Sequence, residues 1–556
     1  MNYPWIILFI NLSLAVILNK FLNLNLPILI PILAMILSLA FNGVLRFLTL
    51  NVAVFLLGIN ISYKEYPTIH TDRPIFVECS VVSFPTYKNF GSIFDCKVIN
   101  SSQKEIIGKI LPVFVRYEEN IYFLSTVAFI GKIKKKQDSL ILQPTANFIK
   151  VDNSDNFLYP LFKIRETFIH NYRNNSINYE TFSVGTALIF GERRYLDFQS
   201  KKPFYESGLA HLIAISGTHI AILFLSLTFL FFFLSERKRY ILLGVILPFY
   251  AIFTGFAIPV VRAVFMGLMY IFSKLFNLRN NSLNILFFSA FIFVFLSPQS
   301  LFSISFQLSF LAVFGIILSL QVFSDANNFQ KIFISSIFAT LFSMPIVLYY
   351  FGNFSPTTIF ATPIATLPLY PLLTLSVVNI ITSFQISFLV KLMDFFTMLF
   401  IQTVLLFSKL GLYFTGFNPS ILSIIIYLSI LVFILIYKFD KSIKIFASIF
   451  VSLLFLILSR SDLSPKVYVF ENRDYPAVLF SNSGSCFLFS EFESKRFLNV
   501  MAKEGCIQKI LFTEKKENFS DDFLSEFEMV KDYNYQVRFK NIHYKKWIEP
   551  ILVLDG

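Results

Sequence analysis

The sequence predicts a polytopic α-helical membrane protein with a small extracytoplasmic β-barrel and a small α/β domain at its C-terminus. Of the 556 residues, 56% are hydrophobic and only 15% are charged, and the mean hydropathy is +0.67. A soluble protein of this length needs more polar surface to cover itself. Apolar runs of about 20 residues, the length that crosses a bilayer, recur along the chain. The soluble parts are the strand-rich segments that lie between and after these runs.

The chain starts with three apolar segments, at 4–22, 26–41 and 44–61. The first has no basic stretch before it and no clear small-residue cleavage site after it, and further helices follow at once. We therefore expect it to stay in the membrane rather than to be removed as a signal peptide. Residues 1–62 form the predicted N-terminal domain of three transmembrane helices.

Residues 63–152 change in character and predict a small barrel. The runs PIFVECSVVSF, SIFDCKVIN, ILPVFVRY, FLSTVAFIGKI and SLILQPTANF are rich in Val, Ile, Phe and Thr, and residues typical of turns separate them. This pattern indicates about five strands. Because an open sheet of this size leaves its edges exposed, we expect a closed or partly closed barrel.

Residues 153–204 connect this insert to the main membrane domain. Their segment YPLFKIRETFIHNYRNN, residues 159–175, mixes apolar and basic side chains in the way that is typical of an amphipathic helix on a membrane surface. The predicted membrane bundle then covers 205–460. Its apolar segments are 209–234, 240–257, 259–276, 283–296, 301–320, 331–350, 356–383, 388–414, 420–437 and 442–459. The number of crossings within 356–414 stays open, because re-entrant segments are possible there.

The basic residues of the bundle concentrate in short loops at 236–240, 274–279, 325–331 and 438–444. The positive-inside rule puts these loops in the cytoplasm. With one crossing for each apolar segment, the N-terminus is then cytoplasmic, and the insert and the tail after Arg460 lie outside. The net charge of +13 fits such loops, and it fits a polyanionic partner such as nucleic acid equally well.

The four cysteines all fall in the parts that this orientation places outside. Cys79 and Cys96 lie in adjacent predicted strands, and Cys486 and Cys506 lie in the tail. An oxidising compartment allows disulfides, and we predict one between Cys79 and Cys96. Pairing of the other two stays open, and the alternative for all four is a small buried apolar side chain. Their spacing is not that of a zinc site.

Polar residues interrupt the apolar segment 209–234, which reads SGLAHLIAISGTHIAIL near its start. If this segment is one helix, Thr218 lies two turns above His211, with His219 about 80° and Ser216 about 140° further round. Gly217 permits close packing or a break in the helix. Such residues either form hydrogen bonds between packed helices or line a water-filled passage. A metal site is disfavoured because no acidic partner accompanies the histidines.

Three more polar residues lie within apolar segments: Arg262, Gln307 and Asn353. A single arginine near a helix end can extend to the headgroups instead of facing the interior. Several such residues in one bundle favour a hydrated interior. Together with His211, Ser216, Gly217, Thr218 and His219, they are the predicted channel-lining residues or structural core of a pore.

The segment ALIFGERRYLDFQSKKPFYESGLAHLIAISGTHIAIL, which starts at Ala187, resembles the signature of ComEC-type competence proteins, the inner-membrane channels for DNA uptake. GFAIPVVRAVFMGLMY, LSPQSLFSISFQLSFLAVFGIIL and YYFGNFSPTTIFATPIATLPLYPLL resemble the family in the same order. The resemblance implies that the strand-rich insert is an OB-like domain. It also implies that the chain passes single-stranded DNA into the cytoplasm during natural transformation.

An OB-like domain binds single strands through basic grooves and stacked aromatic rings. The candidate DNA-binding residues of the insert are Lys88, Lys97, Lys104, Lys109, Arg116, Lys132, Lys134, Lys135 and Lys136. Glu105, Glu118 and Glu119 offset part of this charge, so the alternative is an ordinary solvated surface. No Walker A motif occurs, and a cytoplasmic helicase-like motor and a periplasmic or surface DNA receptor are the expected partners.

The tail, residues 461–556, resembles a reduced form of the metallo-β-lactamase-like domain that longer family members carry. Where that domain has a His-x-His-x-Asp-His cluster, this chain reads FTEKKENFSDD, and the tail has one histidine, His543. A hydrolytic metal site needs such clustered ligands. We therefore expect no metal, no cofactor and no nuclease activity. Two alternatives to a DNA channel stay open: a transporter of another anionic polymer or solute, and an intramembrane hydrolase that uses Ser216.

Overall fold

The computed structural model describes most of the chain in detail. The described residues are 4–22, 43–60, 74–82, 86–88, 91–115, 121–136, 139–154, 156–196, 198–278, 281–410, 412–460, 466–470, 477–482, 485–489, 500–501, 506, 508–512 and 528–529. They form two compact units. The first comprises 1–317, 328–339 and 357–410, and the second comprises 318–327, 340–356 and 411–556, each without its undescribed residues.

Two N-terminal helices pack against each other in the first unit. Helix α1 covers Pro4–Leu22 and α2 covers Gly43–Asn60. Gly58 of α2 lies against Ala15 of α1, where the approach is too close for a larger residue than glycine. These helices fit the first and third predicted N-terminal segments, whereas the second, 26–41, lies outside the described residues.

The insert is a closed five-stranded barrel. Its strands are β1 (Ile75–Val81), β2 (Thr86–Lys88), β3 (Gly91–Ser101), β4 (Ile110–Val115), β5 (Thr126–Lys136) and β6 (Ser139–Asp152). They pair in the order β1-β5-β6-β4-β3, and β3 pairs back with β1, which closes the barrel, while β2 only extends β3. Valines and cysteines of alternate positions fill the interior. The prediction of a small barrel with five main strands is confirmed.

Three helices connect the barrel to the membrane bundle: α3 (Tyr159–Asn175), α4 (Tyr179–Phe190) and α5 (Phe198–Glu206). The sequence predicts α3 with the same bounds. Its Phe162, Ile169 and Tyr172 are buried against protein, so these apolar side chains are not available to lipid. The position of α3 at a membrane surface stays a prediction. Helix α4 is buried from Thr181 to Phe190.

Ten helices follow, one for each apolar segment that the sequence predicts in the bundle. They are α6 (Gly217–Leu230), α7 (Glu236–Phe253), α8 (Ile258–Leu275), α9 (Ser282–Leu296), α10 (Ile304–Val322), α11 (Asn328–Phe351), α12 (Thr358–Ile381), α13 (Ser387–Lys409), α14 (Ile421–Ile436) and α15 (Lys441–Leu458). Among the described residues, six helices are long and apolar enough to cross a membrane: α8, α10, α11, α12, α13 and α15. The prediction of a polytopic helical membrane protein is confirmed.

The expectation of one helix over 209–234 is wrong. Gly208 takes a left-handed backbone conformation, with φ of 75°, and the chain then runs through turns until α6 begins at Gly217. Glycine adopts this conformation without the steric cost that other residues carry. The helix ends again at Leu230, so it has only 14 residues. His211 therefore lies outside the helix, and the predicted alignment of Thr218 above His211 does not occur.

The described tail residues of the second unit form a mixed sheet. Its strands are β9 (Lys466–Phe470), β10 (Ala477–Asn482), β11 (Ser485–Phe489), β12 (Gln508–Phe512) and β13 (Glu528–Met529), and they pair in this order. Strand β10 is antiparallel to both neighbours, whereas β12 is parallel to β11 and β13. A short pair of strands, β7 (Asn353–Phe354) and β8 (Phe414–Thr415), lies in the same unit.

Candidate functional site

The start of α6 is fixed by a contact between Ser216 and His219. The backbone N–H of Ser216 donates to Nδ1 of His219 at 3.3 Å, and the Ser216 hydroxyl lies 3.1 Å from the same nitrogen. Because Nδ1 accepts from a backbone N–H, the ring hydrogen of the neutral imidazole is on Nε2. His219 is 1% exposed, and its Nε2 has no hydrogen-bond partner among the described residues.

The loop before α6 is held in place by hydrogen bonds that its own backbone carbonyl groups accept. Thr357 donates its hydroxyl to the carbonyl oxygen of Ser207 at 3.0 Å, and Thr358 donates to that of Gly208 at 3.3 Å. Nδ1 of His211 lies 3.2 Å from the same Gly208 oxygen, and its ring is exposed. His211 and His219 thus differ in environment, and the single polar face predicted for them is not formed.

Gly217 and Thr218 form the first turn of α6. A side chain at Gly217 would lie 3.9 Å from Cβ of Ala263, so this turn packs beside α8 next to Arg262. Thr218 is half-buried. The segment that looked like a polar stripe of one helix is therefore a helix start held between a loop and α8.

Arg262 is the most unusual charge in the bundle. It lies in the first half of α8 and is 1% exposed. Its Nη2 donates to the carbonyl oxygen of Ser305 at 2.7 Å and to the Ser305 hydroxyl at 2.8 Å. Its Nε has no partner, and no carboxylate of the described part of the chain forms an ion pair with it. Neutral dipoles alone thus compensate a buried positive charge, which is costly in an apolar surrounding.

The two other predicted polar residues make local hydrogen bonds. Gln307 in α10 donates from Nε2 to the carbonyl oxygen of Leu301 at 3.1 Å. Asn353 in β7 donates from Nδ2 to the carbonyl oxygen of Phe351 at 3.2 Å, and it belongs to the second unit. These contacts close turns at the ends of helices. A role for either residue in lining a passage stays a prediction.

A buried acidic centre was missed by the sequence analysis. Asp394 in α13 is fully buried and accepts hydrogen bonds from Tyr172 Oη at 2.7 Å, from the backbone N–H of Ile177 at 2.8 Å and from Thr181 Oγ1 at 3.3 Å. It ties the turn between α3 and α4 to a membrane helix. Burial, and then the carboxylate of Asp394, raise the pKa of Tyr172 well above its usual value. A single acid within the long apolar run of α13 was the available signal.

An ion-pair cluster at the other end of α4 was also missed. Arg165 lies 3.3 Å from Glu192 and donates to the carbonyl oxygen of Phe190 at 3.2 Å. Arg194 donates to both carboxylate oxygens of Glu166, at 2.7 and 2.9 Å. Glu192 and Arg194 belong to the GERR stretch of the family-like signature. This stretch therefore holds α3 and the loop after α4 together.

The barrel is joined to this region by its loop between β4 and β5. Tyr122 stacks on Phe162 of α3 with ring centres 5.6 Å apart, and Phe123 lies 5.4 Å from Phe256 in the loop between α7 and α8. Asn156 donates from Nδ2 to the carbonyl oxygen of Phe123 at 2.7 Å. The insert thus rests on the connector and on the α7–α8 loop.

The predicted DNA-binding residues lie on several strands and are only partly described. Lys97 is exposed on β3, and Lys109 and Lys132 are half-buried. For Lys88, Lys104, Lys134, Lys135 and Lys136 the structure describes the backbone alone, and Arg116 lies outside the described residues. Lys132, Lys134 and Lys136 occupy alternate positions of β5, which place them on one face of the strand.

A groove of about 440 Å³ lies on the outer face of β1, β5 and β6. Its lining includes the apolar Phe76 and Ile130, the acids Glu78 and Asp152, and Lys150. Two carboxylates and one ammonium group do not favour a polyanion. Ser154 donates its backbone N–H to Asp152, which lowers the pKa of this carboxyl group and keeps it ionised.

Both cysteine pairs are disulfide-bonded in the structure. Cys79 in β1 and Cys96 in β3 have Cα atoms 5.6 Å apart, and both side chains are fully buried in the barrel. Cys486 in β11 is bonded to Cys506 across the same Cα distance of 5.6 Å. No cluster of His, Cys, Asp and Glu with the arrangement of a metal site occurs among the residues that the structure describes.

The helical bundle is the part of the chain that is similar to known proteins. A family model described as competence protein matches residues 188–441. ComE operon protein 3 of Bacillus subtilis (strain 168) is 32% identical over 224 residues, which are 39% of this chain and 29% of that protein. An uncharacterized protein of Aquifex aeolicus (strain VF5) is 30% identical over 263 residues, 47% of this chain and 60% of that protein. The chain therefore aligns with less than two thirds of the length of either relative. No solved structure matches significantly.

The match starts within α4 and ends at the first residue of α15. It includes the GERR stretch, the Ser216–His219 contact, Arg262 and Asp394, so the buried polar groups described above all lie in or directly beside the family region. Residues 188–441 of the chain match the competence protein family, and this part of the chain resembles ComEC-type competence proteins.

Proposed function

We propose that this protein forms an inner-membrane channel that passes single-stranded DNA into the cytoplasm during natural transformation. The observation that carries the proposal is the match of the bundle, residues 188–441, to the competence family. The relative from Bacillus subtilis bears the name ComE operon protein 3, which is consistent with such a role. The domain division predicted from the sequence, with boundaries at residues 62, 152, 204 and 460, is part of the proposal.

The chemistry of the bundle supports a path for a polyanion. A strand that crosses lipid needs polar walls without acidic groups, because each of its phosphates carries a negative charge. Arg262 supplies a buried positive charge without a paired carboxylate among the described residues. Lysines of the barrel, such as Lys97 and Lys132, would contact the strand before it enters. The groove that contains Glu78 and Asp152 is a poor candidate for this contact.

Movement of the strand needs a source of energy. The chain has no Walker A motif, so we assign that task to a cytoplasmic helicase-like partner, and delivery of DNA to a periplasmic or surface receptor. Neither partner has a defined docking site on the described residues. The FTEKKENFSDD stretch and His543 lie almost wholly outside the described residues. Absence of nuclease activity and of metal and other cofactors stays a prediction.

An intramembrane hydrolase is the second candidate, since the Ser216 hydroxyl lies 3.1 Å from His219 Nδ1. However, the same nitrogen accepts the backbone N–H of Ser216, as in the capping of a helix start. No acidic residue of the described ranges binds Nε2 of His219 and orients the ring, unlike in a serine hydrolase. The contact therefore favours a structural role for both residues.

The proposal is tested by DNA uptake in the organism with and without this gene. Fluorescent double-stranded DNA is supplied, and label outside the inner membrane is scored separately from label in the cytoplasm, together with transformants. We expect the deletion to leave DNA bound outside, to abolish cytoplasmic label and transformants, and to be restored by the wild-type gene on a plasmid. Unchanged cytoplasmic entry in the deletion strain would contradict the proposal and favour another anionic substrate.

A further inference from the structure

Arg262 has hydrogen-bonding capacity that this structure does not use. Arg262 is 1% exposed, its Nε has no partner among the residues that the structure describes, and its Nη2 is the donor of both hydrogen bonds, to the carbonyl and hydroxyl oxygens of Ser305. Leaving a buried donor without an acceptor costs free energy. A full positive charge that meets only neutral oxygens in the described part of the chain costs more, because a carboxylate or phosphate normally balances it. The arrangement suggests a charge whose partner is a ligand.

The surroundings of Arg262 favour an anion over other ligands. Both Ser305 oxygens accept from Nη2 alone, at 2.7 and 2.8 Å, which leaves the Nε edge of the guanidinium for the two-point contact that an oxyanion makes. The neighbouring helix α6 starts beside Ala263 and buries a second N–H without an acceptor, on Nε2 of His219. The unused groups, Nε of Arg262 and Nε2 of His219, are both donors, so a ligand with several hydrogen-bond acceptors fits them.

The position of Arg262 argues against a lipid headgroup as the partner. Arg262 is the fifth residue of α8, about 6 Å along the axis from the start of the helix. At this depth an arginine on a lipid-facing surface would reach the headgroups. Its exposure of 1% shows instead that protein encloses the guanidinium on all sides. A ligand reaches it from within the bundle.

We propose that Arg262 and Ser305 form a phosphate-binding site inside the bundle, at which Ser305 occupies the guanidinium until a phosphate group replaces it. The phosphate would belong to a DNA strand in transit, and this part of the inference rests on the proposed function. A phosphate brings a negative charge opposite the guanidinium, which the neutral oxygens of Ser305 do not supply, so the exchange is favourable. The site thus gives the path a point where a phosphate is held briefly.

The test uses the purified full chain in nanodiscs of zwitterionic lipid. Thermal unfolding is measured against inorganic phosphate, with chloride at matched ionic strength as reference, because a ligand of the folded state raises the melting temperature. We expect a saturable rise for the wild type. Arg262→Gln should weaken phosphate binding roughly 10- to 100-fold, the loss expected for a charged hydrogen bond. Arg262→Lys should lie between them, since it keeps the charge without the planar fork.

The matched control is Arg193→Gln, because Arg193 is exposed in the loop after α4 and should leave the phosphate effect unchanged. If Arg262→Gln does not fold, Ser305→Ala still decides, since it removes one competing acceptor and should lower the half-saturating phosphate concentration. An equal phosphate effect in wild type and Arg262→Gln or Arg262→Lys would overturn the proposal, as would an unchanged or higher half-saturation in Ser305→Ala. Arg262 would then be a purely structural link between α8 and α10.

Two further arms separate the sources of phosphate and the two levels of the proposal. A short single-stranded oligonucleotide should reproduce the Arg262-dependent rise in melting temperature. Replacing zwitterionic by anionic lipid should not raise it. A rise with anionic lipid alone would identify a lipid site and overturn the assignment to DNA. An Arg262-dependent phosphate effect with normal DNA uptake in the deletion strain would retain the site and reject the proposed function. The reverse combination would reject the site and retain the function.

Discussion

Two charged side chains of the membrane helices, Asp394 and Arg262, are fully buried but balanced in different ways. Asp394 accepts three hydrogen bonds, from Tyr172, Ile177 and Thr181, and the backbone donor belongs to the turn before α4. Arg262, within the part of the chain that the structure describes, has neutral acceptors from Ser305 alone. A charge with several fixed partners holds structure together, whereas a charge with spare donors is able to exchange partners. We therefore assign Asp394 to stability and Arg262 to ligand binding.

Substitution of Asp394 by Asn should destabilise the protein without removing volume. The amide of Asn presents one oxygen and one NH₂ group in place of two oxygens, so at least one of the three donors loses its present acceptor. The expected loss is about 1–3 kcal/mol, the cost of an unsatisfied buried polar group. Thermal unfolding of the detergent-solubilised chain measures it as a lower melting temperature.

The control for this variant is Asp325→Asn. Asp325 forms an ion pair with Lys441, but its side chain is 77% exposed, so the loss should be within about 1 kcal/mol. If Asp394→Asn unfolds at the wild-type temperature, Asp394 does not fix the turn between α3 and α4, and its carboxylate must serve another purpose.

Sequence reasoning found some of these residues and missed their arrangement. His219, Ser216 and Arg262 are recognisable because polar side chains are rare in apolar runs. Their grouping was predicted from a continuous helix over 209–234, and the left-handed conformation of Gly208 together with the turns that follow it breaks that helix. Asp394 gave the same kind of signal as Arg262, but its donors lie more than 200 residues away along the chain. No local pattern predicts such a contact.

Among the secondary-structure elements, the barrel depends most visibly on one covalent link. The disulfide joins β1 to β3, the pair of strands whose hydrogen bonds close the barrel. Its cysteines are 17 positions apart in the sequence. A 3₁₀ turn and a short loop follow β3 and connect it to β4. A link across this span restricts the unfolded insert and also holds the strands at the closure.

Replacement of Cys79 and Cys96 by serine should loosen the barrel selectively. For a loop of this length the chain-entropy model gives a loss of about 3 kcal/mol. Tryptic cleavage of the full chain under native conditions should become faster within 63–152, at the lysines of the insert, while cleavage after Lys274 stays slow.

A serine pair at Cys486 and Cys506 is the matched control, because that disulfide lies in the tail sheet. It should leave cleavage of the insert unchanged. Cleavage of the insert at the wild-type rate in the Cys79 and Cys96 variant would mean that strand pairing alone keeps the barrel closed.

Most elements were predictable because each has a clear local period. Five strands and ten bundle helices follow directly from apolar runs and the turn residues between them. The closure of the barrel through β1 and β3 was only a preference, because pairing of distant strands leaves no mark on either strand alone. No separate prediction covers α4, whose residues from Thr181 to Phe190 are all buried.

For the whole molecule, contacts between loops restrict how the chain crosses the membrane. Thr357 and Thr358 bind the loop at Ser207 and Gly208, and six helices, α6 to α11, separate these loops along the chain. An even number of crossings returns the chain to the same side, as the contact requires. Asp325 and Lys441 likewise form an ion pair across four helices, α11 to α14. One crossing per helix satisfies both contacts.

The barrel obeys the same rule. Phe123 of the barrel contacts Phe256 in the α7–α8 loop, and two helices separate that loop from Ser207. The barrel, the Ser207 loop and the α7–α8 loop thus share one side. Three helices, α8 to α10, separate the α7–α8 loop from the loop at Asp325 along the chain. With one crossing per helix, we predict that the loop at Asp325 and the loop before Lys441 lie on the opposite side of the membrane. The same helix count predicts that the basic loops at 236–240, 274–279, 325–331 and 438–444 all fall on this second side.

The even and odd numbers of helices between these loops, together with the positive-inside rule, predict a membrane topology that can be tested directly. Alkaline phosphatase, active only outside the cytoplasm, should be active when fused after residue 152, 256 or 460. Green fluorescent protein, fluorescent only inside, should be fluorescent after residue 235, 279, 326 or 439. Each site carries both reporters, so that a low signal of one is checked by the other. A cytoplasmic signal at 152 or 460 would reverse the orientation. Opposite signals at 326 and 439 would show that one of α11 to α14 does not cross, and the ion pair between Asp325 and Lys441 could not then form.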